Sequence, residues 1–157
     1  MSIKRIYKNV REDVLDEQGN KIGEICFNPE DVGVYDAFLN ILNKINDSQK
    51  KIENIGEIKD ITSEEIERMK DAKDLENLED TFSKMKNISQ VTVELVDEIT
   101  KDINSIFGDG VSELFLQGSK DLELLMPLLD GVMPFFQKAR ENKTNKYINK
   151  SNSDVMT

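Results

Sequence analysis

Polar and apolar positions divide the chain into a short β-capable start and a long helical remainder. Two runs, Val10–Leu15 and Lys21–Phe27, flank the turn cluster Asp16-Glu17-Gln18-Gly19-Asn20, which predicts a hairpin. Gly23, Ile25 and Phe27 share one face of the second run, so Ile25 and Phe27 are expected to point inward, with Ile22 and Cys26 on the other face. Residues 1–9 are ambiguous, because Ile3, Ile6, Val10 and Val14 carry a helical spacing that runs into the hairpin.

After residue 28 the period becomes helical. Asn28 can cap a helix, Pro29 suits its first position, and Glu30 and Asp31 favour the positive end of its dipole. Tyr35, Phe38, Leu42, Ile45, Gln49 and Ile52 then form a heptad-like seam that Gly56 stops. A seam this short fits the inside of a helical hairpin better than a coiled-coil dimer. Thr62 with Glu65 reads as a capping box, and Ile61 with Ile66 as its hydrophobic staple. The apolar stripe that follows slips phase near 70–75 and 86–90. Two helices are predicted, 63–86 and 88–107, with Asn87 and Gln90 capping the second; one long bent helix is the alternative.

Gly108-Asp109-Gly110 ends that run. A short helix is predicted over 111–117, with Gly118 after its end and Ser119 capping the next. Leu122, Leu125, Met126, Leu129, Val132, Met133 and Phe136 give the last helix a wide apolar face, which Gly131 and Pro134 should kink or split. The fold expected is mainly α (α+β): an N-terminal hairpin followed by a bundle of about four to five helices. One domain is expected over 1–150, with a flexible tail over 151–157.

Charge changes the picture by excluding partners. The net charge is −10, and it is uneven. Residues 1–11 carry four basic groups and no acid, 137–157 carry five basic groups and two acids, and the stretch between them is strongly acidic. An acidic body repels nucleic acid and anionic membrane, so neither is expected as a partner, and no apolar run is long enough to span a bilayer. One Cys fits a reducing compartment, and the basic N-terminus lacks the apolar core of a signal peptide.

Candidate chemistry is sparse. Without His, and with one Cys, a transition-metal site is not expected. Gly110-Val111-Ser112 begins like a nucleophile elbow but lacks its second Gly and any His base, so Ser112 reads as a helix cap. Ser83 and Lys86 match a Ser/Lys pattern without its companion motifs. Asp102-x-Asn104 starts a calcium loop that Ile106 and Gly108 then break. Cys26 reads as a small apolar filler, and the many carboxylate pairs as solvated helix faces. No enzyme activity and no cofactor are expected.

Binding remains. Leu114, Phe115 and Leu116 are consecutive, and Met126, Met133, Phe135 and Phe136 exceed one narrow stripe. Such residues usually belong to a core; a surplus of them marks a partner groove. The residues proposed for such a groove are Phe107, Phe115, Leu116, Met126, Leu129, Met133, Phe135 and Phe136.

Two features carry a family resemblance. One is the hairpin leading into a capped helix, LDEQGNKIGEICFNPEDVGVYDAF. The other is Phe107-Gly108-x-Gly110-x-Ser112-x-x-Phe115 after a long helix, followed by an apolar helix and a basic end around Tyr147. Over roughly 12–150 the chain resembles the tail assembly chaperones of long-tailed phages and related prophage or tailocin clusters of low-GC Gram-positive bacteria. The resemblance implies a non-catalytic helical protein of the host cytoplasm. It would bind the tape measure protein, assist tail tube protein to assemble around it, and be absent from the finished particle. The alternative is a structural tail, baseplate or tailocin component retained in the particle; a small regulatory helical protein is a third. Self-association is left open.

Overall fold

The computed structural model describes residues 1–57, 63–68 and 72–155. The protein is mostly helical, with an antiparallel two-stranded hairpin at its start. Strand β1 is Val10–Leu15 and β2 is Lys21–Phe27, with Val10 opposite Phe27, Glu12 opposite Ile25 and Val14 opposite Gly23. The Asp16 carboxylate fixes the turn, accepting from the backbone amides of Asn20 (2.8 Å) and Gln18 (3.0 Å), while Gly19 takes the positive φ of 85° that the reversal needs. Ile25 and Phe27 are buried, as their alternation requires. Residues 1–9 form neither helix nor strand.

Helix α1 is Val32–Ile55. Its cap is Asp31, not Asn28. Asp31 Oδ1 accepts from Gly33 N at 2.8 Å and Val34 N at 3.3 Å, placing a carboxylate at the positive end of the dipole. Asn28 instead accepts from Glu30 N and holds the turn in front of the helix, with Pro29 inside that turn. Gly56, at φ 98°, closes the far end. The buried seam is also shifted. Phe38, Ile41 and Ser48 are buried, whereas Leu42 is half-buried and Gln49 exposed. The face turned to the core is the one bearing Phe38 and Ile41, and the short Ser48 keeps that face while Gln49 keeps its amide in water.

Helix α2 is Ser63–Arg68. The expected capping residue Thr62, and Ile61 of the staple, lie outside the described residues. Helix α3 is Ala72–Phe107 and passes through 86–90 without a break, so no helix begins at 88. Gln90 bonds Glu94 one turn on, and Thr92 Oγ1 returns to the Ile88 carbonyl at 2.9 Å, so both spend their polar groups within the helix. The phase change in the stripe has another cause. Asn54 and Ile55 at the end of α1 lie beside Asn87, Gln90 and Val91, so α1 covers α3 from there onward. Leu95, Val96, Ile99 and Ile103 are buried, while Leu75, Phe82 and Met85 are exposed. Lys44 of α1 pairs with Asp102 of α3 at 2.7 Å, so the α1 seam packs within the chain.

Helix α4 is Val111–Leu116; a single 3₁₀ turn, Leu122–Leu125, leads into α5, Met126–Val155. The 3₁₀ turn is capped by Asp121, which accepts from Glu123 N, and not by Ser119. Gly131 and Pro134 do not split α5. The carbonyl that Pro134 leaves without its helical donor belongs to exposed Asp130, where water can replace the lost bond. The core joins the hairpin, α1, α3, α4 and α5. At its centre Phe38 stacks on Phe136 (4.5 Å, 17°), and Phe27 meets Phe107 edge-on at 5.1 Å.

Candidate partner groove

The turn Phe107-Gly108-x-Gly110-x-Ser112 is a structural joint. Phe107 is buried, Gly108 and Gly110 hold φ of 129° and 75°, and Ser112 has no exposed surface. Ser112 is therefore not the cap of α4. Gly110 stands at that position without a side chain, and Asn104 of α3 supplies the missing acceptor, taking Ser112 N at 3.0 Å through Oδ1. The joint drives α4 against the hairpin so closely that a Cβ on Gly23 would meet Leu114 Cδ1 at 2.5 Å.

The eight apolar residues expected to meet a partner fall into two sets. Phe107, Leu116, Leu129 and Phe136 are almost fully buried, and no partner reaches them while the fold is closed. Phe115, Met126, Met133 and Phe135 are half-buried at the edge of that core. Phe115 and Phe135 line an open groove of about 300 Å³ between β1 and the first turns of α5. Its walls include Val14, Leu15 and Ile25 on the hairpin, and Pro127, Leu128, Gly131 and Val132 on the helix. Past Phe115 and Pro127 a second hollow of about 560 Å³ continues it toward the hairpin turn, over Ile22, Leu114 and Leu124. Leu15, Ile22 and Leu124 are 55, 43 and 36 % exposed, which leaves an apolar strip open to solvent.

Gly131 borders the groove without a side chain. It lies inside α5, where glycine costs up to about 1 kcal/mol relative to alanine. A Cβ placed there would meet nothing within 4 Å. Gly131 does not break the helix; it leaves that stretch of the groove wall without a side chain.

The rim is acidic. Glu12, Asp13, Asp16, Glu17 and Glu123 contribute to the lining, and no lysine or arginine does. Lys21 answers Asp13 at 3.1 Å, but among the described residues no basic side chain bridges Glu12, Asp16, Glu17 or Glu123. The amide of Asn20, with those of Gln18 and Gly19, holds the Asp16 carboxyl below its ordinary value, so it stays charged. Glu12 lies opposite buried Ile25, on the inward face of the hairpin. Glu12, Asp13, Asp16 and Glu17 are near neighbours in the chain, but Glu123 lies about a hundred residues further on and only the fold brings it to the same rim.

Among the described residues no His, Cys, Asp and Glu cluster has the arrangement of a metal site, and no helix is long and apolar enough to cross a membrane. Cys26 is half-buried on the outer face of the hairpin, with Sγ 3.8 Å from Tyr7 Oη. No protein-family model matches the chain, and neither does any curated protein or solved structure.

Proposed function

We propose that this chain is a non-catalytic assembly chaperone of a phage tail or related particle, and that the groove between β1 and α5 holds an amphipathic helix of the tape measure protein. The partner's apolar stripe would lie over Leu15, Phe115 and Phe135, and its flanking lysines and arginines would meet the acidic rim. The observation that carries this reading is an apolar strip open to solvent with an acidic border, its helical wall left without a side chain at Gly131. The resemblance of the hairpin and of the Phe107–Phe115 joint to tail assembly chaperones supplies the identity of the partner. A tape measure protein bears long apolar helical stripes before the tube encloses it, and an acidic, soluble cover suits them. The protein would act in the host cytoplasm and be absent from the finished particle.

Co-expression with the neighbouring long, helix-rich reading frame tests this. The expected result is a partner that is soluble only in this protein's presence and elutes with it, together with purified particles that lack this chain by mass spectrometry. A partner soluble alone and eluting separately, or particles that retain this chain in stoichiometric amount, would overturn it.

A further inference from the structure

Residues 1–9 are the other conspicuous surface. They form no helix or strand, and Ile3 and Ile6 are 96 and 81 % exposed. Lys4, Arg5 and Lys8 make the segment basic, and it contains no acid. Residues 1–6 are thus an apolar and basic segment without cover, in a molecule whose open groove is apolar and acidic. The segment does not run toward the groove of its own chain. Tyr7 Oη lies 3.8 Å from Cys26 Sγ on the outer face of the hairpin, and Lys8 bridges Glu30 at 3.0 Å, beyond the end of β2. The groove lies on the inner side, and its second hollow opens at the opposite end, beside the turn.

We propose that the groove is occupied, in the absence of another partner, by residues 1–6 of a second copy of this chain, the two copies exchanging their N-terminal segments reciprocally while Tyr7 and Lys8 stay on their own hairpin. Ile3 and Ile6 then cover Leu15 and Phe115, and Lys4 and Arg5 face Glu12, Asp16 and Glu17. Six extended residues span about 20 Å, which matches the length of the six-residue strand beside the groove. Because each copy gives its segment to the other's groove, the reciprocal exchange closes as a twofold dimer. It uses the groove of the chaperone reading but rests on this chain's own charges and exposure. A tape measure helix entering the groove would have to displace the segment, which keeps the apolar strip covered until then.

Disulfide trapping tests the exchange without any tail protein. In a Cys26→Ser background, Ile6→Cys chains are mixed with Leu15→Cys chains under mild oxidation at high micromolar concentration. The expected product is a mixed dimer at least about tenfold more abundant than either chain forms alone, falling severalfold from low to high salt because screening weakens the pairing. Lys4→Glu with Arg5→Glu should remove it, and light scattering should show a dimer for the unmodified chain and a monomer for that double variant. No excess of the mixed product, or closure of an Ile6→Cys/Leu15→Cys chain on itself as a monomer, would overturn the exchange while leaving the chaperone reading standing.

Discussion

Phe136 of α5 stacks on Phe38 of α1 with ring centroids 4.5 Å apart and planes 17° from parallel, and neither ring has more than 1 % of its surface exposed. This pair ties the last helix to the first, and it removes Phe136 from any partner surface. Phe136→Ala should cost about 3–5 kcal/mol through lost burial and the cavity left behind. Chemical denaturation checks this; a loss under about 1 kcal/mol would mean that the α1–α5 contact is loose in solution.

A second tie secures the turn before α1. Arg140 Nη2 donates to the carbonyls of Pro29 (3.2 Å) and Glu30 (2.8 Å), Lys143 Nζ donates to Glu30 O, and the Arg140 guanidinium lies 4.9 Å from the centre of the Tyr35 ring. Arg140→Met keeps much of the packing and removes the charged donors. A loss of about 1.5–3 kcal/mol is expected, with amide exchange accelerated first in residues 28–34. Uniform exchange across α1 would contradict a local clamp.

At the joint before α4, Asn104 and Ser112 should respond differently to truncation. Asn104→Ala takes away the acceptor for Ser112 N and should cost about 0.5–2 kcal/mol, as loss of a helix cap does. The Ser112 hydroxyl is buried with no hydrogen-bond partner among the described residues, so Ser112→Ala should be neutral or stabilising. Thermal melts of both variants decide this. Strong destabilisation by Ser112→Ala would show that the hydroxyl has a partner in solution.

The hairpin turn should weaken in acid. The Asp16 carboxyl has a folded pKa below its ordinary 3.8, chiefly through the Asn20 amide. A depressed carboxylate contributes stability that is complete above the ordinary value and lost as pH falls through the folded one. Amide exchange or chemical shifts of Gln18, Gly19 and Asn20 should therefore change below about pH 4, and Asp16→Asn should abolish that dependence. An unchanged profile in Asp16→Asn would assign the acid sensitivity to other carboxylates.

The sequence made the elements legible, and missed how their faces pair. Hairpin limits, the helix stop at Gly56 and the short helix after Gly110 follow from local turn and capping chemistry, which adjacent residues determine. The cap moved from Asn28 to Asp31 because both residues can cap and only the packing of residues 28–30 under Arg140 chooses between them. The seam of α1 moved to Ile41 and Ser48, since a serine at a core position carries no apolar signal. The break expected near residue 88 was the point where α1 begins to cover α3, a tertiary cause of a sequence pattern. The groove combined both kinds of residue. Phe115 and Phe135 were visible as surplus apolar residues, but Gly131 read as a helix breaker and Leu15 as an ordinary strand residue until the fold placed them together.

Filling the groove with Gly131→Met tests its role in binding. The new side chain enters open space in the groove, and replacing a helical glycine should leave stability unchanged or raise it by up to about 1 kcal/mol. A purified helical fragment of the tape measure protein would be titrated calorimetrically into the unmodified chain and into this variant. The expected result is an affinity weaker by at least about tenfold, or about 1.4 kcal/mol, with no fall in melting temperature. Equal affinity for both proteins would contradict it.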